Sequence, residues 1–127
     1  MIRGIEGILL STSYANFAQM AKFYKEVVGL KVGTEGEYAE KDQFIDFKIG
    51  KDSLYLTTHS KIKDKNKEPA RSMINIEVDD IKKEVARLKR NKAKLIQPIY
   101  HLEQYGYIAT FVDPDGNYFQ LVQVRAS

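Results

Sequence analysis

Near the C-terminus, two apolar runs are joined by a short polar turn, a pattern that requires two strands to lie side by side. The turn occupies residues 113–117 and reads Asp-Pro-Asp-Gly-Asn. Pro114 fixes its φ angle, Gly116 can adopt a positive φ, and the Asp and Asn side chains can bond to the turn backbone. The pattern therefore predicts a tight hairpin between two buried strands.

The strand after this turn alternates in character. Tyr118, Gln120 and Val122 share one predicted face, and Phe119 and Leu121 share the other. The face with Phe119 and Leu121 is typical of a core. Gln120 is then a polar group on the opposite, otherwise apolar face, which makes it a candidate ligand contact.

The chain repeats one order of elements, which predicts an internal duplication. Each half begins with a strand, at residues 5–10 and 73–78, and continues with an amphipathic helix, at residues 17–28 and from 81 onward. Gly29 ends the first helix, and an acidic pair precedes the second. A loop is predicted over residues 33–43, and Pro98 is predicted to end the strand at residues 95–97. Further strands are predicted at residues 30–32, 44–49, 53–57, 95–97, 107–112 and 117–124.

A lysine-rich stretch at residues 60–71 separates the two halves. It contains few large apolar residues, so it is predicted to be an exposed connector. The alternative is that its lysines bind a phosphate group. The expected organisation is a single domain over residues 1–127, with module one at about 1–59 and module two at about 72–127.

Composition limits the classes of function. The chain of 127 residues is 43% hydrophobic and 29% charged, with a net charge of +3, and these values are ordinary for a globular protein. The charge does not indicate a nucleic-acid partner, and no apolar run is long enough to span a membrane. The sequence has no cysteine and no signal-peptide pattern, so we expect a cytoplasmic protein without disulfides.

Two motifs carry a resemblance to a known family. The turn at 113–117 followed by Leu121-Val122-Gln123, together with the sequence Phe-Tyr-Lys-Glu-Val-Val-Gly-Leu at residues 23–30, resembles the vicinal oxygen chelate superfamily. That superfamily includes glyoxalase I, bleomycin-binding resistance proteins and extradiol dioxygenases. The resemblance implies an α+β fold of two βαβββ modules forming a half-barrel pair, a ligand cleft between the modules, and a homodimer.

Members of the family that use a metal place His, Glu or Gln at four positions, on the first and last strands of each module. Carried over to this chain, the positions in module two hold Met73 and Gln120, and the last strand of module one holds Tyr55. The remaining position falls on Leu9, or on Glu6 or Gly7 if an insertion is allowed. A thioether, an amide and a phenol are poor ligands for hard divalent ions. We therefore expect no cofactor, with a divalent metal as the alternative.

The two histidines could be invoked to rebuild a metal site. His59 follows the strand that carries Tyr55, and His101 lies beyond Pro98. Neither falls at a family ligand position, so both are predicted to be surface histidines. If a metal is bound, Glu6 and Gln120 are the candidate ligands.

With the metal positions degenerate, the predicted cleft contains aromatic, thioether and neutral hydrogen-bonding side chains. Such a lining suits an uncharged or aromatic small molecule. The same side chains could instead fill a closed barrel. The predicted cleft residues are Tyr55, Thr57, Met73, Asn75, Tyr107, Tyr118 and Gln120.

Three functions follow as hypotheses. The first is a metal-free protein that binds a small molecule, although the slightly basic chain argues against cationic bleomycin as its ligand. The second is a lyase, isomerase or dioxygenase of the glyoxalase type, either with a metal or with acid–base chemistry by Glu6 or a tyrosine. The third is a structural or regulatory partner protein with a vestigial cleft. Metal content distinguishes the second from the first.

Overall fold

The computed structural model describes residues 1–39 and 41–124. The chain divides into two compact units, Met1–Asp64 and Lys65–Ser127, and the division falls inside the lysine-rich stretch. Each unit contains one four-stranded sheet and helical segments. The α+β fold with two βαβββ units, predicted from the repeated element order, is confirmed.

The first unit has the sheet order β1-β4-β3-β2. Strands β1 and β4 run parallel, whereas β4, β3 and β2 are joined as antiparallel neighbours. Met20, Tyr24, Phe47, Leu54 and Leu56 form its fully buried core. The elements are β1 Ile8–Thr12, α1 Phe17–Lys22 with a π-helical continuation Phe23–Val28, β2 Lys31–Tyr38, β3 Asp42–Ile49 and β4 Asp52–Thr58.

The second unit has the matching order β5-β8-β7-β6, again with its first and last strands parallel. Helix α2 begins where Asp80 accepts a hydrogen bond from the Lys83 amide at 3.1 Å, an N-cap contact that satisfies one free donor of the first turn. Its apolar stripe includes Ile81 and Leu88, which are buried. The elements are β5 Ile74–Glu77, α2 Ile81–Arg90, β6 Lys94–Leu102, β7 Gly106–Val112 and β8 Tyr118–Val124.

Two strands extend by several residues beyond their predicted ends. Strand β2 continues to Tyr38, through residues that the sequence indicated as loop, because its polar residues pair with β3 through main-chain bonds. Strand β6 continues through Pro98 to Leu102. It is the outer strand of its sheet, and its pairing with β7 shifts register between Gln97 and Tyr100, so the missing proline N–H interrupts no regular ladder. The prediction that Pro98 ends the strand was wrong.

Candidate functional site

The turn between β7 and β8 is fixed by the carboxylate of Asp113. This carboxylate accepts hydrogen bonds from the backbone amides of Asp115 and Asn117, both at 2.9 Å, and from the Asn117 side-chain amide at 3.0 Å. Gly116 adopts a φ of +83°, as the turn sequence predicted. The turn holds β7 and β8 in a defined register, in which Thr110 lies opposite Gln120.

Strand alternation gives the second sheet two distinct faces. Phe111 and Phe119 belong to the face that packs toward α2, and their rings stack with centroids 6.0 Å apart. Thr110, Tyr118 and Gln120 belong to the opposite face, which we call the pocket face. The Gln120 side-chain amide donates a hydrogen bond to the Thr110 hydroxyl at 3.1 Å. This bond orients the Gln120 amide so that its carbonyl oxygen can serve as an acceptor.

A pocket of about 480 Å³ opens on the pocket face. Its size lies within the range typical of small-molecule sites. Its lining combines aromatic rings, a thioether and neutral polar groups. The lining residues are Ala70, Met73, Ile96, Gln97, Tyr100, Thr110, Tyr118 and Gln120.

The structure brings together three of the predicted cleft residues of the second unit. Met73, which is 39% exposed, Tyr118 and Gln120 line the same pocket. Asn75 pairs with Gln120 in the β5–β8 register but does not line this pocket. Tyr107 pairs with Gln123, so alternation places it on the face that packs toward α2, and it lines a separate depression beside Ile81.

The two remaining predicted residues, Tyr55 and Thr57, lie on β4 of the first unit. Thr57 is buried, and the Tyr55 hydroxyl donates a hydrogen bond to the Glu6 carboxylate at 2.5 Å. This hydrogen bond, together with partial burial, raises the pKa of Tyr55 above its ordinary value. Such a tyrosine holds its proton at neutral pH and is unsuited to act as a general base.

Beside Tyr55, the first unit carries a charged pair. The Lys48 ammonium lies 2.9 Å from the Asp46 carboxylate and also donates a hydrogen bond to the Ser53 hydroxyl at 3.2 Å. The bond from Lys48 holds the pKa of Asp46 below its ordinary value, and the same bond raises the pKa of Lys48. Both groups are therefore charged at neutral pH, and together they are neutral.

Sequence reasoning missed the contribution of β6 to the pocket. Tyr100 was overlooked because the strand was expected to end at Pro98. Ile96 and Gln97 lie inside the predicted strand at residues 95–97, but they were not assigned to the cleft. Thr110 was also missed, although a signal for it existed. Counting back from the turn at residues 113–117 along the predicted hairpin places Thr110 opposite Gln120.

The donor groups do not fit a family-type metal centre. Gln120 bonds to Thr110, Glu6 accepts from Tyr55, and Met73 offers only a thioether, a poor ligand for hard divalent ions. Across residues 1–39 and 41–124, no group of three or more His, Asp or Glu side chains is arranged to hold a metal ion.

The two histidines have local partners of other kinds. The imidazole of His59 accepts a hydrogen bond from the Lys61 amide at 3.1 Å. The ring of His101 packs against Tyr107, with ring centroids 4.9 Å apart. Both histidines are exposed, and neither lines the pocket on the pocket face.

The repeated fold and the turn motif agree with a family-level comparison. The family model described as Glyoxalase/Bleomycin resistance protein/Dioxygenase superfamily matches residues 12–121. The chain belongs to this superfamily. Comparison with curated proteins gave no match.

Several solved structures have the same fold as this chain at low sequence identity. A glyoxylase/bleomycin resistance protein/dioxygenase domain from Frankia sp. EAN1pec is 18% identical with a TM-score of 0.79, covering 98% of this chain and 100% of that chain. A glyoxalase family protein from Enterococcus faecalis is 23% identical with a TM-score of 0.76, covering 95% and 98%. TnmS3, an antibiotic binding protein from Streptomyces sp. CB03234, is 19% identical with a TM-score of 0.73, covering 98% and 100%.

The helices of this superfamily member are short. Among the residues that the structure describes, no helix is long and apolar enough to cross a membrane.

Proposed function

We propose that this superfamily member binds a small, uncharged aromatic molecule without a metal, in the pocket on the pocket face of its second unit. The observation that carries the proposal is the side chain of Gln120, a neutral amide where metal-using relatives are expected to place a ligand, held by Thr110 at the edge of an aromatic pocket. An oriented amide confers hydrogen-bonding specificity rather than charge stabilisation.

The apolar part of the pocket suits a planar ring system. Tyr100 and Tyr118 supply two aromatic side chains, and Met73 adds a polarisable thioether that adapts to irregular shapes. Aromatic rings favour offset or edge contacts with other rings, worth about 1 kcal/mol beyond the area they bury. A flat aromatic ligand would use all three side chains.

The polar part of the pocket offers an acceptor to a ligand hydrogen-bond donor. Because one N–H of the Gln120 amide donates to Thr110, the amide is held in one orientation, and its carbonyl oxygen is available to a ligand N–H or O–H. Within the described chain, the pocket lining includes no Asp, Glu, Lys or Arg side chain. A charged group inside this pocket would therefore lose its hydration without gaining a charged partner, which disfavours it.

Binding of 2-naphthol and of its methyl ether, 2-methoxynaphthalene, tests the proposal. The ether keeps the ring but lacks the O–H donor, so we expect it to bind about fivefold more weakly, the equivalent of about 1 kcal/mol for one hydrogen bond. Substitution Gln120→Met should remove this difference, because it removes the acceptor. Equal affinity of the two compounds for the wild-type protein would contradict the role given to Gln120.

A matched pair of tyrosine variants locates the site. Tyr118→Leu removes a ring of the pocket, and Tyr107→Leu removes an exposed ring on the opposite face of the same sheet. Affinity for 2-naphthol should fall about fivefold in the first variant and stay unchanged in the second. No binding of either compound, or an equal loss in both variants, would overturn the proposal.

Metal content separates this proposal from a glyoxalase-type enzyme. Protein purified without chelator should contain metal far below one equivalent, and Ni²⁺, Zn²⁺, Mn²⁺ and Fe²⁺ should not raise its melting temperature. Saturable stabilisation by one ion would favour the enzyme instead.

A homodimeric state and a cytoplasmic location are part of the same proposal. The molar mass in solution, measured by light scattering, tests the homodimeric state.

A further inference from the structure

Another cavity adjoins the pocket that is lined by Gln120 and Tyr118. It has a volume of about 530 Å³ and is lined by Glu68, Pro69, Ala70, Arg71 and Tyr118. Ala70 and Tyr118 also line the first pocket, so the two cavities meet at these side chains. We call this second cavity the side groove. The two volumes together exceed what a single aromatic ring system needs.

The wall of the side groove is a segment without helix or strand, residues 65–71, fastened to the turn of the hairpin. The Asn66 amide donates to the Asp115 carbonyl at 2.8 Å, and the Asn66 side chain donates to the Asn117 side-chain oxygen at 3.0 Å. The Asn66 side-chain oxygen in turn accepts from the Glu68 amide at 2.9 Å. Asn66 thus joins the wall to the same turn that Asp113 fixes.

The turn itself is shaped for this contact. A Cβ atom at Gly116 would lie only 3.2 Å from the Asn66 carbonyl oxygen, closer than ordinary side-chain contacts. The absence of a side chain at Gly116 therefore permits the close approach of the segment, in addition to the positive φ of the turn. The segment at residues 65–71 and the turn at residues 113–117 are therefore in close contact.

The side groove presents polar groups that are complementary in charge. The Arg71 guanidinium lies 2.9 Å from the Glu68 carboxylate, and both side chains are more than two-thirds exposed. The pair is neutral as a whole, yet it offers N–H donors and carboxylate acceptors side by side next to the Tyr118 ring. Such a surface matches a neutral group that carries several hydroxyls, each able to donate and accept.

We propose that the ligand has two parts: an aromatic portion in the first pocket, and a neutral polyhydroxylated arm that passes Tyr118 into the side groove. Asn66 is the positioning residue that holds the groove wall in place. This inference rests on the proposed function, because the arm is placed relative to the aromatic portion. It adds the shape of the ligand and the role of residues 65–71.

The experiment compares 2,6-dihydroxynaphthalene with its mono-β-glucoside, measured by calorimetry on the full chain. Both compounds keep a free phenol for Gln120, and only the glucoside has the arm. The glucoside should bind about fivefold more tightly to the wild-type protein, the gain expected from one additional hydrogen bond. Arg71→Ala and Asn66→Ala should each abolish this gain, while the affinity for 2,6-dihydroxynaphthalene stays within about twofold.

Asn91→Ala, at the C-terminal end of α2, is the matched control and should keep the full gain for the glucoside. A merely structural role of Asn66 would weaken both compounds alike, so the selective loss identifies a positioning role. Wild-type protein that binds both compounds equally would overturn this inference and leave the proposed function standing. Wild-type protein that binds neither compound would overturn the proposed function and the inference together.

Discussion

The two units have the same architecture and differ in how they use one face of the sheet. In the first unit, Asp46 lies opposite Tyr55 across β3 and β4. In the second unit, Thr110 lies opposite Gln120 across β7 and β8. Both pairs stand on neighbouring antiparallel strands of sheets with matching strand order.

The two cross-strand pairs differ in the charge of their partners. In the first unit, Lys48 and Glu6 engage Asp46 and Tyr55, so the polar groups satisfy one another. Among the described residues, the Asp46 Oδ1 atom is the exception, because it is buried without a hydrogen-bond partner. In the second unit, Gln120 bonds to Thr110 through its nitrogen only. The second unit thus presents a neutral pair beside the aromatic rings of the pocket, whereas in the first unit both members of the pair bond to charged side chains.

The largest expected effect tests whether the two cores are equivalent. Phe47 in the first unit and Phe119 in the second are both fully buried aromatic residues. Phe47→Ala and Phe119→Ala should each lower the free energy of unfolding by about 4 kcal/mol, through lost burial and a residual cavity. Urea denaturation measures both. A loss below about 1 kcal/mol in either variant would show that the two cores do not contribute alike.

The turns of the two units should differ clearly. Asp113→Ala leaves three buried or part-buried N–H groups without their acceptor and should cost about 3 kcal/mol. Lys51→Ala is the counterpart in the turn between β3 and β4. It changes an exposed side chain and should cost less than about 0.5 kcal/mol. Thermal and urea unfolding measure both variants. Similar losses in the free energy of unfolding would contradict the expected difference between the two turns.

The charged pair predicts an acid-dependent effect specific to the first unit. Because the Lys48 ammonium lowers the pKa of Asp46, the unfolded chain takes up a proton at this carboxyl at higher pH than the folded protein. The stabilisation is therefore present above the ordinary pKa of Asp, about 4, and is lost as the pH falls below it. Asp46→Asn should make the decline of the free energy of unfolding between about pH 5 and pH 2 shallower.

Lys48→Met provides the second variant for this effect. It removes the partner that lowers the pKa of Asp46, so its decline with acid should also be shallower than that of the wild-type protein. Urea denaturation at a series of pH values measures both variants. A slope equal to that of the wild-type protein in both would exclude the Asp46–Lys48 pair as its source.

The smallest expected effect concerns Tyr55. Its pKa is raised by the hydrogen bond to Glu6, so the contribution to stability is complete below about pH 10 and disappears as the pH rises through the folded-state pKa. Ultraviolet titration of Tyr55→Phe should lose a tyrosine that ionises late, while stability at neutral pH changes little. Glu6→Gln should shift the same ionisation to lower pH, and an unchanged titration would refute the assigned contact.

Local rules predicted the parts of the fold in which side chains determine backbone conformation. The turn at residues 113–117 and the apolar stripe of α2 follow from proline, glycine, capping and periodicity, and the structure has both. The continuation of β2 over residues 33–38 was missed because main-chain pairing with β3 forms it, and no side-chain pattern indicates such pairing. The continuation of β6 through Pro98 to Leu102 was missed because only an outer strand tolerates a proline, and the outer position of β6 is known only once the sheet order is known.

The same limit applies to the candidate site. Period-two alternation on β8 was enough to select Tyr118 and Gln120 for the face that carries the pocket. It was not enough for Tyr107, which was placed on that face although its pairing with Gln123 puts it on the other. Deciding the face of β7 required the register of the hairpin. The walls formed by β6 and by residues 65–71 depend on contacts between distant segments.

In each unit the first and last strands pair in parallel, and this pairing determines when each sheet can form during synthesis. Ile8 pairs with Leu54 and Ile74 pairs with Phe119, so each sheet closes across roughly 45 intervening positions. The ribosome releases the chain from the N-terminus, and domains form as their last segments emerge. The first unit can complete its sheet once β4 is free, while the second unit must wait for β8. Until then β5 lacks its partner strand, and its main-chain N–H and C=O groups stay unpaired.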